Sequence, residues 1–377
     1  MPDLSTSPPI RARDLQIPLD GTPGALNAIT DVPGVEVGHT TLIEGDNVRT
    51  GVTVVLPRGR QYDPVFAGST VLNGNGEMTG TIWVEESGFL EGAIAITNTH
   101  SVGVVRDALI AWQVEHQFFN PIVPGVFWGL PVVAETYDGA LNEINGFHVK
   151  QAHVFAALDS ASGGAVAEGA VGGGTGMICH GFKGGIGTAS RRLDETGASP
   201  ATYTVGVLVQ ANHGKRRHFT VAGVPVGKEL TELPVEIHPI APPPGVPPSG
   251  IGSIIVILAT DAPLLPHQLK RLARRIPLGI TRVGALGDHS SGDIFMAFST
   301  ANPGTAQRSS IADLKMLAQD ALDPLFEATV QATEEAILNA LVAAKTMVGR
   351  NGNTAHALPH ERLQAILARY GRLAEDL

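Results

Sequence analysis

Gly250-Ile251-Gly252-Ser253-Ile254-Ile255-Val256-Ile257-Leu258-Ala259-Thr260 joins two kinds of chain in a single step. Before it, Ala241-Pro242-Pro243-Pro244-Gly245-Val246-Pro247-Pro248-Ser249 carries five prolines. Proline fixes φ and has no N–H, so this stretch can form neither a helix nor a central strand. From Ser253 onward the chain is apolar without alternation, the pattern of a strand covered on both faces. This is the clearest composition break in the chain, and it predicts a sheet buried between two other layers.

Other elements follow outward from that strand. Val52 to Leu56 and Ala93 to Thr97 are short β-like runs bounded by Gly or Pro. Thr204 to Val209 is a third strand, ending in Gln210-Ala211-Asn212, and Ile294 to Phe298 is a fourth. Apolar residues recur at helical spacing between Val104 and Glu115. Two further helices are expected near the end. Ile311 to Phe326 repeats Ile311, Leu314, Leu317 and Leu322; Leu325 to Val348 repeats Val330, Ile337, Leu338 and Leu341, with Pro324 tolerable in its first turn. The first 25 or so residues read as a polar, extended arm. Strands at both ends with helices between and after favour an α/β layered sandwich. No internal repeat is present, and residues 1–377 read as a single domain.

Residues 172–187 are rich in glycine, yet they lack the GxGxxG spacing, and Phe182 separates Gly181 from Lys183 where a phosphate loop needs Gly-Lys. The segment therefore reads as backbone passing close to another element.

Bulk properties narrow the function. A net charge of −10 argues against nucleic acid as a partner. The basic run Lys270 to Arg275 reads as a solvated helix face. A lone cysteine, Cys179, excludes an internal disulfide framework; it reads as a buried thiol in preference to a nucleophile paired with His180. His356 and His360 have helical spacing but Pro359 intervenes, so no metal face is expected, and no cofactor is called for. Met1-Pro2-Asp3-Leu4-Ser5 does not open a signal peptide, and no apolar stretch reaches 18 residues, so a cytoplasmic protein without membrane contact is expected.

Four places can carry chemistry. If the bond before Ser253 is cut, Ser253 gains a free α-amine beside its hydroxyl. That amine has an ordinary pKa of about 7.7–8.0 and can act as the base a lone serine lacks. Gly252 suits the cut, since without a Cβ it tolerates strained geometry. The plainer reading is a strand that starts with Ser after Gly. In His289-Ser290-Ser291-Gly292-Asp293, a β register starting near Ser291 turns Ser291 and Asp293 to the same side; the plainer reading is a turn with capping groups. Glu135-Thr136-Tyr137-Asp138-Gly139, followed by Asn142 and Asn145, is the third, and Asn212 at the end of its strand is the fourth. An Asn carboxamide there can donate to an oxyanion. Each alone also reads as structural.

Together with Gly34-Val35-Glu36-Val37-Gly38-His39-Thr40 and Asn73-Gly74-Asn75-Gly76-Glu77, these sites resemble the DmpA-type aminopeptidases, a family of L-aminopeptidase/D-esterase-amidases and β-peptidyl aminopeptidases. The likeness runs from about residue 25 to 348, in order. It implies a four-layer αββα sandwich similar to the N-terminal nucleophile hydrolases, with different connectivity. It implies self-cleavage between Gly252 and Ser253, giving an α chain of residues 1–252 and a β chain of residues 253–377, and a homotetramer. Ser253 would be the nucleophile and Asn212 an oxyanion donor. Ser291 and Asp293 would support the nucleophile and its amine. Glu135 and Tyr137 would receive the substrate's free amino end. Some β-peptide-cleaving relatives carry Glu where this chain has Asp293, and nylon-oligomer hydrolases use Thr where it has Ser253.

The expected function is that of a self-processing serine aminopeptidase or amidase, acting on short peptides, amino-acid amides or esters through an acyl-Ser253 intermediate. Two alternatives stand beside it: an acyltransferase that passes the acyl group to an amine, and a non-catalytic small-molecule-binding scaffold of the same fold.

Overall fold

The apolar run after Gly252 forms the strand its composition predicts, Ser253–Thr260, with every residue buried. The structure is a computed structural model and describes residues 10–119, 126–194, 202–238, 252–306 and 311–374. The proline run and Ile251 lie outside the described residues.

The N-terminal half contains β1 (Glu36–Glu44), β2 (Val48–Leu56), β3 (Val65–Gly74), α1 (Thr81–Ser87), β4 (Phe89–Leu90), β5 (Ile94–Asn98) and α2 (Val102–Glu115). Next come β6 (Val132–Thr136), α3 (Gln151–Asp159), the short strands β7 (Ile178–Cys179) and β8 (Phe182–Lys183), then β9 (Gly185–Leu193) and β10 (Tyr203–Asn212). After α4 (Val226–Glu229) the chain forms β11 (Ser253–Thr260), α5 (Pro266–Ala273), α6 (Ile276–Arg282) and β12 (Gly292–Ser299). It closes with α7 (Asp323–Ala343), β13 (Met347–Val348), β14 (Thr354–Ala355) and α8 (His360–Arg369).

Two sheets carry the fold. One has the order β1-β2-β5-β6, the other β4-β3-β12-β11-β10-β9. The expected four layers are present. Side chains of β11 alternate between two cores: Ile255, Ile257 and Ala259 meet Ile94, Ile96 and Val132 of the other sheet, in the space between the sheets. Ile254, Val256 and Leu258 point the other way, onto Leu269, Ile280 and Leu338 of the helical layer. On the far side of the smaller sheet, Val54 and Val133 pack on Leu109, Trp112 and Leu158 from α2 and α3. Burying each such aliphatic side chain is worth about 1.5–3 kcal/mol. That explains why β11, covered twice, tolerates no polar residue between Ser253 and Thr260.

The glycine segment behaves as expected. A Cβ on Gly173 would meet Gln210 Oε1 at 2.2 Å and the Ile96 carbonyl at 2.6 Å; one on Gly187 would meet the Ala336 carbonyl at 2.0 Å. The segment is threaded between both sheets and α7, where only hydrogen fits.

Two expectations need correction. No helix spans Ile311 to Phe326: residues 311–318 have no regular structure, Gln319–Ala321 form one 3-10 turn, and the helix starts at Asp323. The apolar period was present, but only its second half is buried: Leu317 and Leu322 reach the core while Ile311 is 82% and Leu314 45% exposed, and the Leu317 N–H goes to the Pro263 carbonyl at 2.8 Å in place of a helical partner. The following helix ends at Ala343, five residues short of Val348, and Val348 lies in β13. The N-terminal arm is also more engaged than its polarity suggests. Ala12, Leu15 and Ile17 are buried, and Arg11 and Arg13 pair with Glu168 and Glu335 at 2.7 and 2.9 Å. Among the described residues, no helix is long and apolar enough to cross a membrane.

Candidate active site

Three neighbouring strands bring the expected residues together. Ser253, first in β11, is paired directly with Asn212, last in antiparallel β10. Residues paired in this way project on the same face with Cβ atoms about 4.5–5.5 Å apart. On the other edge β12 runs parallel to β11, pairing Asp293 with Ile254. Gly292, one residue earlier, donates its backbone N–H to Ser253 Oγ at 3.0 Å. This bond occupies a lone pair of the hydroxyl and favours negative charge on it. The hydroxyl proton then has to point elsewhere.

The Asn212 carboxamide is fixed at both ends. Its Oδ1 accepts the Ile178 N–H at 2.8 Å, and its Nδ2 donates to the Tyr137 carbonyl at 2.9 Å. An amide nitrogen carries two N–H bonds, so one remains for a further acceptor.

Ser291 and Asp293 do share a side, as their spacing predicts. Ser291 Oγ donates to Asp293 Oδ1 at 2.5 Å. Burial pushes the Asp293 carboxyl up to about 6; the Ser291 hydroxyl and the Ile254 N–H oppose the rise and Asp288 adds to it. A partly protonated carboxyl near neutrality suits a group that handles protons.

Glu135, in β6, is buried with both oxygens engaged. Oε1 accepts the Glu77 N–H at 3.0 Å, and Oε2 accepts the Thr99 hydroxyl. Burial raises its pKa, against the lowering effect of those two donors. A Cβ on Gly76 would stand 3.1 Å from both Glu135 Oε1 and Gly292 Cα. The carboxylate is thus one glycine away from the residue that holds Ser253. The Tyr137 ring folds over Gly139, where a Cβ would lie 2.3 Å from the phenol oxygen.

A cavity of about 670 Å³ opens here, lined by Tyr137, Asn212, Gly252, Ser291 and Asp293 together with apolar residues such as Ile237 and Leu286. That volume suits a small molecule or the end of a short peptide. Ser253 and Glu135 are buried and are not among the described residues that line it. Asn142 serves structure: it bonds Asp138 and the Arg49 N–H, while Asn145 is exposed.

Cys179, His180 and His213 form the nearest approach to a metal site, with one ligand atom from each within 4.8 Å of the others. Tetrahedral zinc needs roughly 3.5 Å between such atoms, given its bond lengths. Burial also pushes the Cys179 thiol up to about 12, which argues against a reactive thiolate there. His356 and His360 part ways, to Glu236 and to the Val342 carbonyl.

Several functional contacts were missed from sequence: the backbone N–H groups of Gly292, Ile178 and Glu77, and the Thr99 hydroxyl. Backbone donors leave no residue-type signal.

Comparison with known proteins gives a consistent picture. A family model described as peptidase family S58 matches residues 27–355. A β-peptidyl aminopeptidase, BapA of Sphingosinicella microcystinivorans, is 54% identical over 97% of this chain and 93% of its own. The L-aminopeptidase D-Ala-esterase/amidase of Ochrobactrum anthropi, described as a variant of the Ntn hydrolase fold, superposes with a TM-score of 0.88 at 48% identity, covering 97% of this chain and 99% of that one. A Burkholderia sp. β-aminopeptidase gives 0.85 at 50% identity, over 96% and 99%.

Proposed function

The chain belongs to peptidase family S58, and we propose that it matures by cutting itself between Gly252 and Ser253 and then works through Ser253. It is a serine aminopeptidase/amidase of the N-terminal nucleophile kind. The observation that carries the proposed residue roles is the contact of the Gly292 N–H with Ser253 Oγ, made while Asn212 stands opposite across the strand pair.

In the first event the Ser253 hydroxyl attacks the Gly252 carbonyl; the adduct breaks the Gly252–Ser253 C–N bond, and the departing nitrogen takes up the Oγ proton. Water hydrolyses the resulting Gly252 ester, leaving Ser253 with a free hydroxyl and a free amine. In turnover that amine takes the Oγ proton, and Oγ attacks the substrate carbonyl. The free N–H of Asn212 Nδ2 faces the oxyanion. As the intermediate collapses, the amine returns its proton to the leaving amine. Water then repeats the cycle and releases the acid. Ser291 and Asp293 keep the amine oriented and offset its charge. Glu135 and Tyr137 receive the substrate's ammonium end. An oxyanion donor of this kind contributes about 10²–10³ to the rate.

The substrates are short peptides, amino-acid amides and esters with a free amino end. The β-peptidyl names of the similar proteins support including β-amino-acid amides. The assembly is a homotetramer, a reading supported by Ile82 at 88% exposure near the edge-on pair Trp83 and Trp128.

Intact mass under denaturing conditions tests the central claim. Two species, residues 1–252 and 253–377, are expected, with activity confined to the cleaved form. A fully active protein of one uncut chain would overturn it.

A further inference from the structure

Lys183 is a charged residue with no expected role, and it is completely buried in β8. Its ammonium makes three hydrogen bonds, all to backbone carbonyls: Met177 at 2.8 Å, Gly184 at 2.8 Å and Gly174 at 3.3 Å. A lysine has three donors, and all three are used. Burying an ammonium costs several kcal/mol, and burial pulls the Lys183 pKa down to about 7, so the cation is partly populated at neutral pH and held there by these three carbonyls.

The Met177 carbonyl is the informative partner. It belongs to the same peptide unit as the Ile178 N–H, and that N–H is the donor that holds Asn212 Oδ1 at 2.8 Å. The carbonyl also accepts the Gly184 N–H at 2.9 Å. The unit therefore has a cation and an amide at its oxygen and the Asn212 carboxamide at its nitrogen.

Physical chemistry gives this arrangement a direction. A cation at a peptide oxygen draws electron density toward it and makes the N–H at the other end a stronger donor. A stronger donor on Asn212 Oδ1 in turn polarises the carboxamide, so its Nδ2–H bonds donate more strongly. Chains of hydrogen bonds reinforce one another in this way, most of all where water is excluded.

We propose that Lys183 is a positioning residue for the oxyanion site, acting through the Met177–Ile178 peptide to orient and polarise Asn212. The idea rests on the reading of Asn212 as the oxyanion donor. The charge is delivered three hydrogen bonds away from the substrate oxygen, so substrate can bind without meeting it. Its effect is then largest when negative charge develops on the substrate oxygen, and belongs in kcat more than in KM.

The test compares Lys183→Met, Asn212→Ala and the double variant, in precursor cleavage rate and in kcat and KM of the cleaved fraction, with thermal melting as a check on folding. Lys183→Met is expected to lower both rates about tenfold with KM within about twofold. The double variant should be no more than about twofold slower than Asn212→Ala. If Lys183→Met does not fold, Lys183→Gln replaces it, keeping N–H donors for the carbonyls without the charge. Lys183→Arg, which keeps the charge, should recover a large part of the rate. An unchanged rate in the uncharged variants, a loss confined to KM, or an additive double variant overturns the relay. Wild-type rates in Asn212→Ala would overturn the reading of Asn212 itself, a separate result.

Discussion

The backbone N–H of Gly292 points at Ser253 Oγ from 3.0 Å, so the glycine between Ser291 and Asp293 is the part of that motif bonded to the proposed nucleophile. Its lack of a side chain is required. A Cβ there would lie 2.6 Å from the Asn75 carbonyl and 2.8 Å from Gly76 Cα, both backbone atoms that cannot swing away. Gly292→Ala must therefore move β12 or the 75–76 loop. We expect a loss of about 1–3 kcal/mol in stability, as for overpacking elsewhere. Precursor cleavage should slow by about tenfold or more, since the N–H leaves its place. Urea unfolding and a cleavage time course measure the two effects, and a variant that cleaves at the normal rate would show the contact to be idle.

Acid sensitivity follows from Asp293. Its carboxyl, lifted to about 6 by burial, accepts the Ser291 hydroxyl most strongly when ionised, and only then can it offset the charge of an amine. As pH falls through that value the carboxylate is lost and activity should fall. The Ser253 amine, with an ordinary pKa of about 7.7–8.0, must be neutral to act as base. Two ionisations thus shape the acid side of the profile, steeper below about 6 than above it. Ser291→Ala removes a donor that holds the Asp293 pKa down, so the steep region should move to higher pH. A plot of log kcat/KM against pH decides the matter, and the same single slope in both proteins would count against it.

Much of the architecture was legible because burial leaves marks on composition. β11 reads directly from Ser253 to Thr260, since a strand covered on both faces cannot alternate. The pairing of Ser291 with Asp293 follows from the two-residue strand period. The failed helix over 311–326 has the right period, and Leu317 and Leu322 are buried, but the Leu317 N–H bonds the distant Pro263 carbonyl, a competing partner that no local pattern reveals. Lys183 could have been suspected, being the one charge in the glycine segment 172–187. Its use of the Met177 carbonyl could not, because it depends on how β7 and β8 fold back on each other. The two ends of the N-terminal arm's ion pairs are likewise more than 150 positions apart in sequence.

One of those pairs predicts how the two fragments stay joined. Glu335 in α7 is fully buried and bonds Arg191 at 2.7 Å and Arg13 at 2.9 Å, so it links both sides of the proposed cut. Burial alone would raise its pKa, but Arg191 and Arg13 overturn that and hold it below its ordinary 4.5. A lowered acid pKa stabilises the fold above the ordinary value, and that contribution is lost as pH falls through the folded one. Glu335→Gln leaves Arg191 buried without a counter-charge, a loss of about 3–5 kcal/mol. Urea titrations at pH 7 should show the deficit and at pH below 4 a smaller one. A deficit under about 1 kcal/mol at pH 7 would mean the network carries no net charge energy.

Glu135 offers the sharpest test of substrate class. Its two hydrogen bonds, from the Glu77 N–H and the Thr99 hydroxyl, leave acceptor capacity on each oxygen. Those donors also fix the carboxylate in place. An ammonium group held by a buried carboxylate is worth about 1.5–3 kcal/mol, or roughly 10- to 100-fold in binding. Glu135→Gln keeps the shape and removes the charge. KM for amino-acid amides and short peptides with a free amino end should rise by that factor, while kcat changes little. Substrates whose amine is acetylated carry no positive charge to bind, so their turnover should be unaffected. The ratio of kcat/KM for free against acetylated substrates is the measurement. If Glu135→Gln weakens both classes equally, the carboxylate supports the fold of the 75–77 loop and the amine is bound elsewhere.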